Sequence, residues 1–123
     1  MPHVVLESRE GQPGRLVIDE FASRFEPFVV RDADLLVKAE RLYLERDGRA
    51  ALVEIVVVER GFTQKFFIHL SPRNGGITVR LEPLTDPEKT AGVRRAIALL
   101  ARRIVEISGC AYGPTNIQEY LVR

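Results

Sequence analysis

The sequence predicts an α+β fold in which an antiparallel β-sheet of five to seven strands packs on one long C-terminal α-helix. Two observations carry this prediction. Four segments rich in β-branched and aromatic residues lie between positions 35 and 84, separated by short turn signals, and a helical pattern with clear end signals follows at about 86–108. With 123 residues, of which 46% are hydrophobic, the chain has the size of one domain, 1–123, with its own core.

The N-terminal part of the chain alternates short apolar runs with turn residues. His3–Glu7 and Arg15–Asp19 have the composition of strands separated by a turn at Gly11–Gly14. Phe21–Phe25 predicts a helical turn, and Phe28–Val30 predicts a further short strand. These strands either extend an edge of the sheet or cross its second face, and the residues leave both arrangements open.

The middle of the chain predicts a meander of four antiparallel strands over residues 35–84. Its strands are expected at Leu35–Arg46, Ala50–Arg60, Thr63–Pro72 and Gly76–Leu84. The pairs Asp47-Gly48 and Asn74-Gly75 suit type I′ turns, in which both central residues need a positive φ, and Gly61-Phe62 suits a type II′ turn. Three hairpins in a row therefore join the four strands.

Two-residue turns fix the register of the strands that they connect, so cross-strand partners follow from the turn positions. Apolar residues meet in all three hairpins: Leu42 with Val53, Leu44 with Ala51, Val57 with Phe66, Ile55 with Ile68, Val53 with Leu70, Leu70 with Val79, and Ile68 with Leu81. This apolar face is the predicted core. Lys38 and Glu40 fall on it, which indicates a β-bulge near these positions or the edge of the sheet.

The same registers align charged residues on the second face of the sheet. Arg41, Glu54, His69 and Arg80 form one predicted row across the four strands. Apolar side chains surround this row, namely Val37, Val56, Val58, Leu52, Phe67 and Tyr43. A sheet face left in water is normally more polar. We therefore expect the N-terminal strands, a second subunit or a ligand to cover part of it.

The predicted helix has signals at both ends. Either Thr85 or Asp86 can cap its N-terminus, and Gly109 ends it. Its apolar stripe consists of Val93, Ile97, Leu100, Ile104 and Ile107, which covers the core face of the sheet. After the helix, Gly113–Asn116 predicts a turn, and Ile117–Val122 is either a last strand or a frayed helix.

The composition excludes several classes of protein. A net charge of +1 disfavours a nucleic-acid partner, because phosphate neutralisation needs a basic excess. One cysteine excludes an internal disulfide and, with only two distant histidines, the common zinc patterns. Apolar runs such as Ile55–Val58 are too short to span a membrane, and Met1–His3 begins no signal peptide. We expect a cytoplasmic protein with no metal and no cofactor.

Cys110 and the helix arginines favour structural interpretations. A catalytic thiolate needs a basic neighbour or a helix N-terminus, whereas Cys110 follows the C-terminal end of the predicted helix. We interpret it as a packed apolar residue. Four arginines spread around the helix instead of forming one stripe and are typical of a solvated face: Arg94, Arg95, Arg102 and Arg103.

Two functions fit the second face. The first is a non-catalytic binding or assembly domain whose partner is a second copy, in a homodimer, or another protein; its interface residues are Val56, Phe67, Val58 and Tyr43. The alternative is a site for a small anionic ligand, or an enzyme, in which Glu54 orients His69 for proton transfer while Arg41 and Arg80 hold the anion. A cross-strand charge ladder explains the same row structurally. We therefore favour the binding domain without catalytic activity.

Overall fold

The computed structural model describes residues 1–121, and it shows an α+β fold in which helices cover one face of a seven-stranded antiparallel sheet. The strands are β1 (His3–Glu7), β2 (Phe28–Asp32), β3 (Leu35–Leu44), β4 (Ala51–Glu59), β5 (Phe62–Arg73), β6 (Gly76–Leu81) and β7 (Ala111–Thr115). The helices are α1 (Gly14–Arg24), α2 (Ala91–Ser108) and α3 (Gln118–Leu121). The strand order is β2-β3-β4-β5-β6-β1-β7. The predicted fold class is confirmed.

Helix α1 corrects the strand predicted at Arg15–Asp19. Its buried residues are Val17, Ile18 and Phe21, whose spacing of one, three and four positions places them on one side of a helix. The chain becomes helical directly after Pro13, where the fixed φ of proline suits a helix start. The apolar run around these residues is too short to distinguish the period of a strand from that of a helix. Phe21 lies on the same helix, and the separate helical turn predicted at Phe21–Phe25 does not form.

The strands before and after α1 extend the sheet at both ends of the meander. β1 lies between β6 and β7, and its residues Val4 and Leu6 are fully buried. β2 pairs with β3 at the opposite end of the sheet. The N-terminal strands therefore add to the sheet and do not cross its second face.

A β-bulge in β3 confirms one of the two explanations predicted for Lys38 and Glu40. Ala39 pairs with Ile55, whereas Arg41 pairs with Glu54, so Glu40 is the extra residue. The bulge reverses which face each preceding side chain takes. Val37 and Ala39 consequently lie in the core, and the prediction that Val37 belongs to the second face is wrong.

The turn between β4 and β5 differs from the prediction by one residue. Glu59 pairs with Phe62, so the two central residues are Arg60 and Gly61, both with positive φ. This backbone is that of a type I′ turn, with glycine at its second central position. The partners on β5 shift by two residues, which keeps every side chain on its predicted face but changes its neighbours.

The other two turns join the predicted partners through different backbone conformations. Arg73 pairs with Gly76 across Asn74-Gly75, but only Gly75 has a positive φ. The turn between β3 and β4 is a wider loop around Gly48, which also has a positive φ. The amide of Glu45 closes this loop by donating to the carbonyl of Ala50 over 2.8 Å. Neither turn is type I′, although the predicted registers of both hairpins are confirmed.

Helix α2 starts at Ala91, later than the sequence predicts, because Thr90 is its N-cap, and not Thr85 or Asp86. Glu59 of the sheet supports this cap. The carboxylate of Glu59 accepts hydrogen bonds from the hydroxyl of Thr90 at 2.5 Å and from the amide of Gly92 at 2.9 Å. Thr90 accepts from the amide of Val93. Thr85 instead accepts a hydrogen bond from the amide of Phe67 on β5, so it does not cap the helix.

Removing this cap is expected to destabilise the protein. Glu59→Ala leaves two donors at the start of α2 without their acceptor, and we expect it to lower the free energy of unfolding by about 1–2 kcal/mol. Urea unfolding followed by circular dichroism measures this change. The exposed Glu10→Ala serves as control, since Glu10 lies in the loop before α1. Equal midpoints for the two variants would contradict the capping role of Glu59.

The C-terminal end of α2 and the following segment close the core. Gly109 ends the helix in the left-handed conformation, as predicted. The next residues form strand β7 where the sequence predicts a turn, because they pair with β1. In the segment Ile117–Val122, the described part forms the short helix α3 after the buried Ile117, and Val122 lies outside the described residues.

Candidate interaction surface

One face of the sheet carries no helix within residues 1–121, and we call it the outer face. Helices α1 and α2 both pack on the opposite face, where their apolar residues join the core. Strand alternation places the following side chains on the central part of the outer face: Leu36, Lys38, Arg41, Tyr43, Leu52, Glu54, Val56, Val58, Lys65, Phe67, His69, Ser71, Thr78, Arg80 and Glu82. All predicted interface and ligand residues are among them.

The predicted charged row is divided between two neighbouring rows. Arg41 lies opposite Glu54, but Glu54 lies opposite Phe67 and not opposite His69. His69 has Leu52 and Arg80 as its cross-strand partners. The cause is the two-residue shift at the turn between β4 and β5. The row Arg41–Glu54–His69–Arg80 is therefore wrong as a single line of contacts.

The two arginines proposed to hold one anion are far apart. Arg41 is on β3 and Arg80 is on β6, three strand positions away, which corresponds to about 14 Å at the usual strand spacing. Arg41 instead approaches Glu54, with 4.0 Å between Nε and Oε1. Tyr43, through hydrogen bonding and charge, and then Glu54 raise the pKa of Arg41, so it stays a cation.

His69 is half-buried, and its Nδ1 atom is both buried and without a hydrogen-bond partner among the described residues. On the far side of Arg80, the next cross-strand neighbour is His3 on β1. This arrangement gives His69 a cationic neighbour and no carboxylate directly opposite. Within the described part of the chain, Glu54 and His69 share no hydrogen bond that would orient the His69 ring.

The apolar centre of the outer face is formed by Val56, whose exposure is only 8%. Its two cross-strand partners are Lys38 and Lys65. Lysine stems cover neighbouring apolar surface while their charged ends remain in water, which explains this low exposure. Val58, one row further along β4, is half-buried beside Leu36.

A pair of aromatic rings extends this apolar centre towards the edge of the sheet. Phe67 and Tyr43 pack edge to face, with ring centroids 6.1 Å apart and an interplanar angle of 70°. Tyr43 is 46% exposed, and Phe67 is half-buried. The four predicted interface residues thus form a connected strip across β3, β4 and β5.

A shallow cleft of about 240 Å³ opens beside Tyr43, where the β3–β4 hairpin ends. Its lining consists of Tyr43, Leu44, Glu45, Ala50, Ala51, Leu52, His69 and Glu82. Only Tyr43 and His69 of this lining were predicted as site residues from the sequence. The predicted register does place the small Ala51 opposite the larger Leu44 at this end of the hairpin.

Cys110 and two of the helix arginines have partners within the fold. Cys110 is buried in the core, which confirms its interpretation as a packed residue, and it lies 3.1 Å from the hydroxyl of Ser108. Arg95 pairs with Asp32 at 2.9 Å, and Arg103 lies over the ring of Phe28. These arginines tie α2 to the edge strand β2.

Within residues 1–121, no group of three His, Cys, Asp or Glu side chains is arranged to hold a metal ion. None of the helices in this part of the chain is both long and apolar enough to cross a membrane. Comparison with protein-family models, with curated proteins and with solved structures finds no match.

Proposed function

We propose that this protein is a non-catalytic binding and assembly domain whose outer face binds a second copy of the chain. The observation that carries the proposal is the strip of apolar side chains on a face without a helix, formed by Val56, Val58, Phe67 and Tyr43. Apolar side chains on a sheet face without a covering helix, framed by charged residues, are typical of protein interfaces.

Charge complementarity supports a second copy as the partner. Two sheets can stack with their strands nearly aligned. A two-fold axis along the strands, between β4 and β5, brings Arg41 opposite Glu82 of the second copy and Tyr43 opposite Arg80 of the second copy. Both contacts occur twice because the interface is symmetric. Opposite charges and a cation–π contact then surround the apolar strip.

Phe67→Asp tests the proposal. It places a carboxylate in the centre of the contact on both copies, and we expect it to weaken this association on the order of 100-fold. Sedimentation velocity over a range of concentrations gives the mass and the dissociation constant. Val58→Asp is a second variant on the same strip.

Leu16→Asp provides the matched control, because Leu16 is an exposed apolar residue of α1 on the other side of the sheet. It should leave the association unchanged, and circular dichroism should show that all three variants are folded. If folded Phe67→Asp and Val58→Asp both keep the mass and dissociation constant of the wild type, the outer face is not the interface.

A second candidate function is binding of a small anion at His69 and Arg80, which the unpartnered Nδ1 of His69 favours. Phosphate is the probe, and NMR of the His69 ring is the readout. For this function, phosphate should shift the His69 signals in the wild type, and Arg80→Ala should abolish the shift. No response in the wild type would contradict it.

A further inference from the structure

Strand β3 has an edge with open backbone groups over its second half. β2 pairs with β3 only along Leu35–Ala39. Beyond the bulge, Arg41–Leu44 pairs with β4 on one side and with no described strand on the other. Such an edge presents amide and carbonyl groups that can pair with another strand.

The exposed side chains along this edge include two large apolar ones. Tyr43 is 46% exposed and Leu44 is 43% exposed, although both lie on a regular strand. An edge that avoids pairing normally carries a proline or inward-pointing charges, or is covered by another segment. No proline, inward-pointing charge or covering strand occurs at Arg41–Leu44 in the described structure, and the bulge at Glu40 ends before this segment, so this part of the edge can accept a partner strand.

The sequence of the edge is complementary to itself in the antiparallel direction. Residues 41–45 read Arg-Leu-Tyr-Leu-Glu. When two copies pair antiparallel about Tyr43, Arg41 lies opposite Glu45 of the second copy. Leu42 lies opposite Leu44 in the same way. Each of these pairs occurs twice, and opposite charges across strands are favourable.

The intramolecular contacts of these charged residues leave them available for this pairing. Arg41 reaches Glu54 only at 4.0 Å, with 71% of its side chain exposed. Glu45 uses its backbone amide to close the hairpin. It forms no side-chain hydrogen bond or ion pair with another described residue, and its carboxylate lies on the exposed end of the β3–β4 hairpin.

We propose that Arg41–Glu45 pairs with the same segment of a second copy, so that the sheet continues from one chain into the next. This contact goes beyond the proposed function, because it uses the edge of β3 and not the outer face. A chain that uses both contacts builds assemblies larger than a dimer. The edge contact alone gives a dimer when the outer face is disrupted.

The experiment uses the full chain carrying Phe67→Asp, which removes the outer-face contact. We expect this variant to remain dimeric through the edge, and we expect an added Glu45→Arg to raise the dissociation constant about 10-fold, because Arg41 then meets an arginine. The charge swap Arg41→Glu with Glu45→Arg should restore the dissociation constant to within about 3-fold of the Phe67→Asp value, since each pair is again of opposite sign.

The outcomes separate the two proposals. A Phe67→Asp variant that is monomeric overturns the edge contact and leaves the outer-face contact standing. If Glu45→Arg alone and the charge swap change the dissociation constant of the Phe67→Asp dimer equally, edge pairing is also overturned.

Hydrogen exchange of the Leu42 and Leu44 amides, which point away from β4, gives a second readout. It should slow as the protein concentration rises if the edges pair. Unchanged exchange at every concentration would overturn self-pairing and direct attention to a strand from another protein.

Discussion

Gly76→Ala is expected to lower the free energy of unfolding by roughly 3 kcal/mol, because the methyl group would overlap the backbone of the neighbouring strand. A Cβ atom built on Gly76 overlaps the carbonyl oxygen of Leu6 and lies 3.0 Å from its carbonyl carbon. β1 pairs with β6 at this position, with Glu7 opposite Gly76. Since the obstacle is backbone, the strands themselves must separate. Thermal or urea unfolding measures the loss.

The adjacent Gly75→Ala is the matched control. A Cβ atom there meets nothing within 4 Å, but Gly75 has a φ of +80°. An alanine in the left-handed region costs about 1 kcal/mol, so this variant should be clearly more stable than Gly76→Ala. If the two variants unfold at the same midpoint, close packing of β1 on β6 does not explain the glycine at position 76.

Leu100→Ala is expected to cost about 3 kcal/mol through the cavity that it leaves in the core. Leu100 is fully buried on α2, among the residues that α2 and the sheet share. Leu84→Ala makes the same chemical change in the loop before α2, where the side chain is 92% exposed. It should change stability by less than about 0.5 kcal/mol. Equal effects of the two substitutions would contradict the placement of α2 on the sheet.

The hairpin registers could be predicted because the position of a two-residue turn determines which residues of its two strands lie opposite each other. The pairs Leu42 with Val53 and Leu70 with Val79 follow from turn position and side-chain polarity alone. The bulge was visible as a conflict, since Lys38 and Glu40 could not both face a core. Local chemistry thus carried long-range information where strands are adjacent in sequence.

The candidate site was harder to predict because a turn misplaced by one residue changes every contact between the two strands that it joins. Gly61 can occupy either central position of a two-residue turn, and that choice decides whether Glu54 meets His69 or Phe67. The residues on the outer face were mostly identified, whereas their neighbours were not. Helix α1 was missed for a related reason, because five residues do not separate two periodicities.

The position of β1 has a consequence for how the protein is synthesised. β1 precedes both of its neighbours in the chain: β6 begins only at Gly76, and β7 includes Thr115, whose hydroxyl donates to the carbonyl of His3 across 112 positions of sequence. A nascent chain on the ribosome therefore carries an apolar strand, with Val4 and Leu6, that stays unpaired while the meander forms. Pairings this distant slow folding. The sheet is complete only when β1 has paired with both β6 and β7, which requires β7 to have emerged.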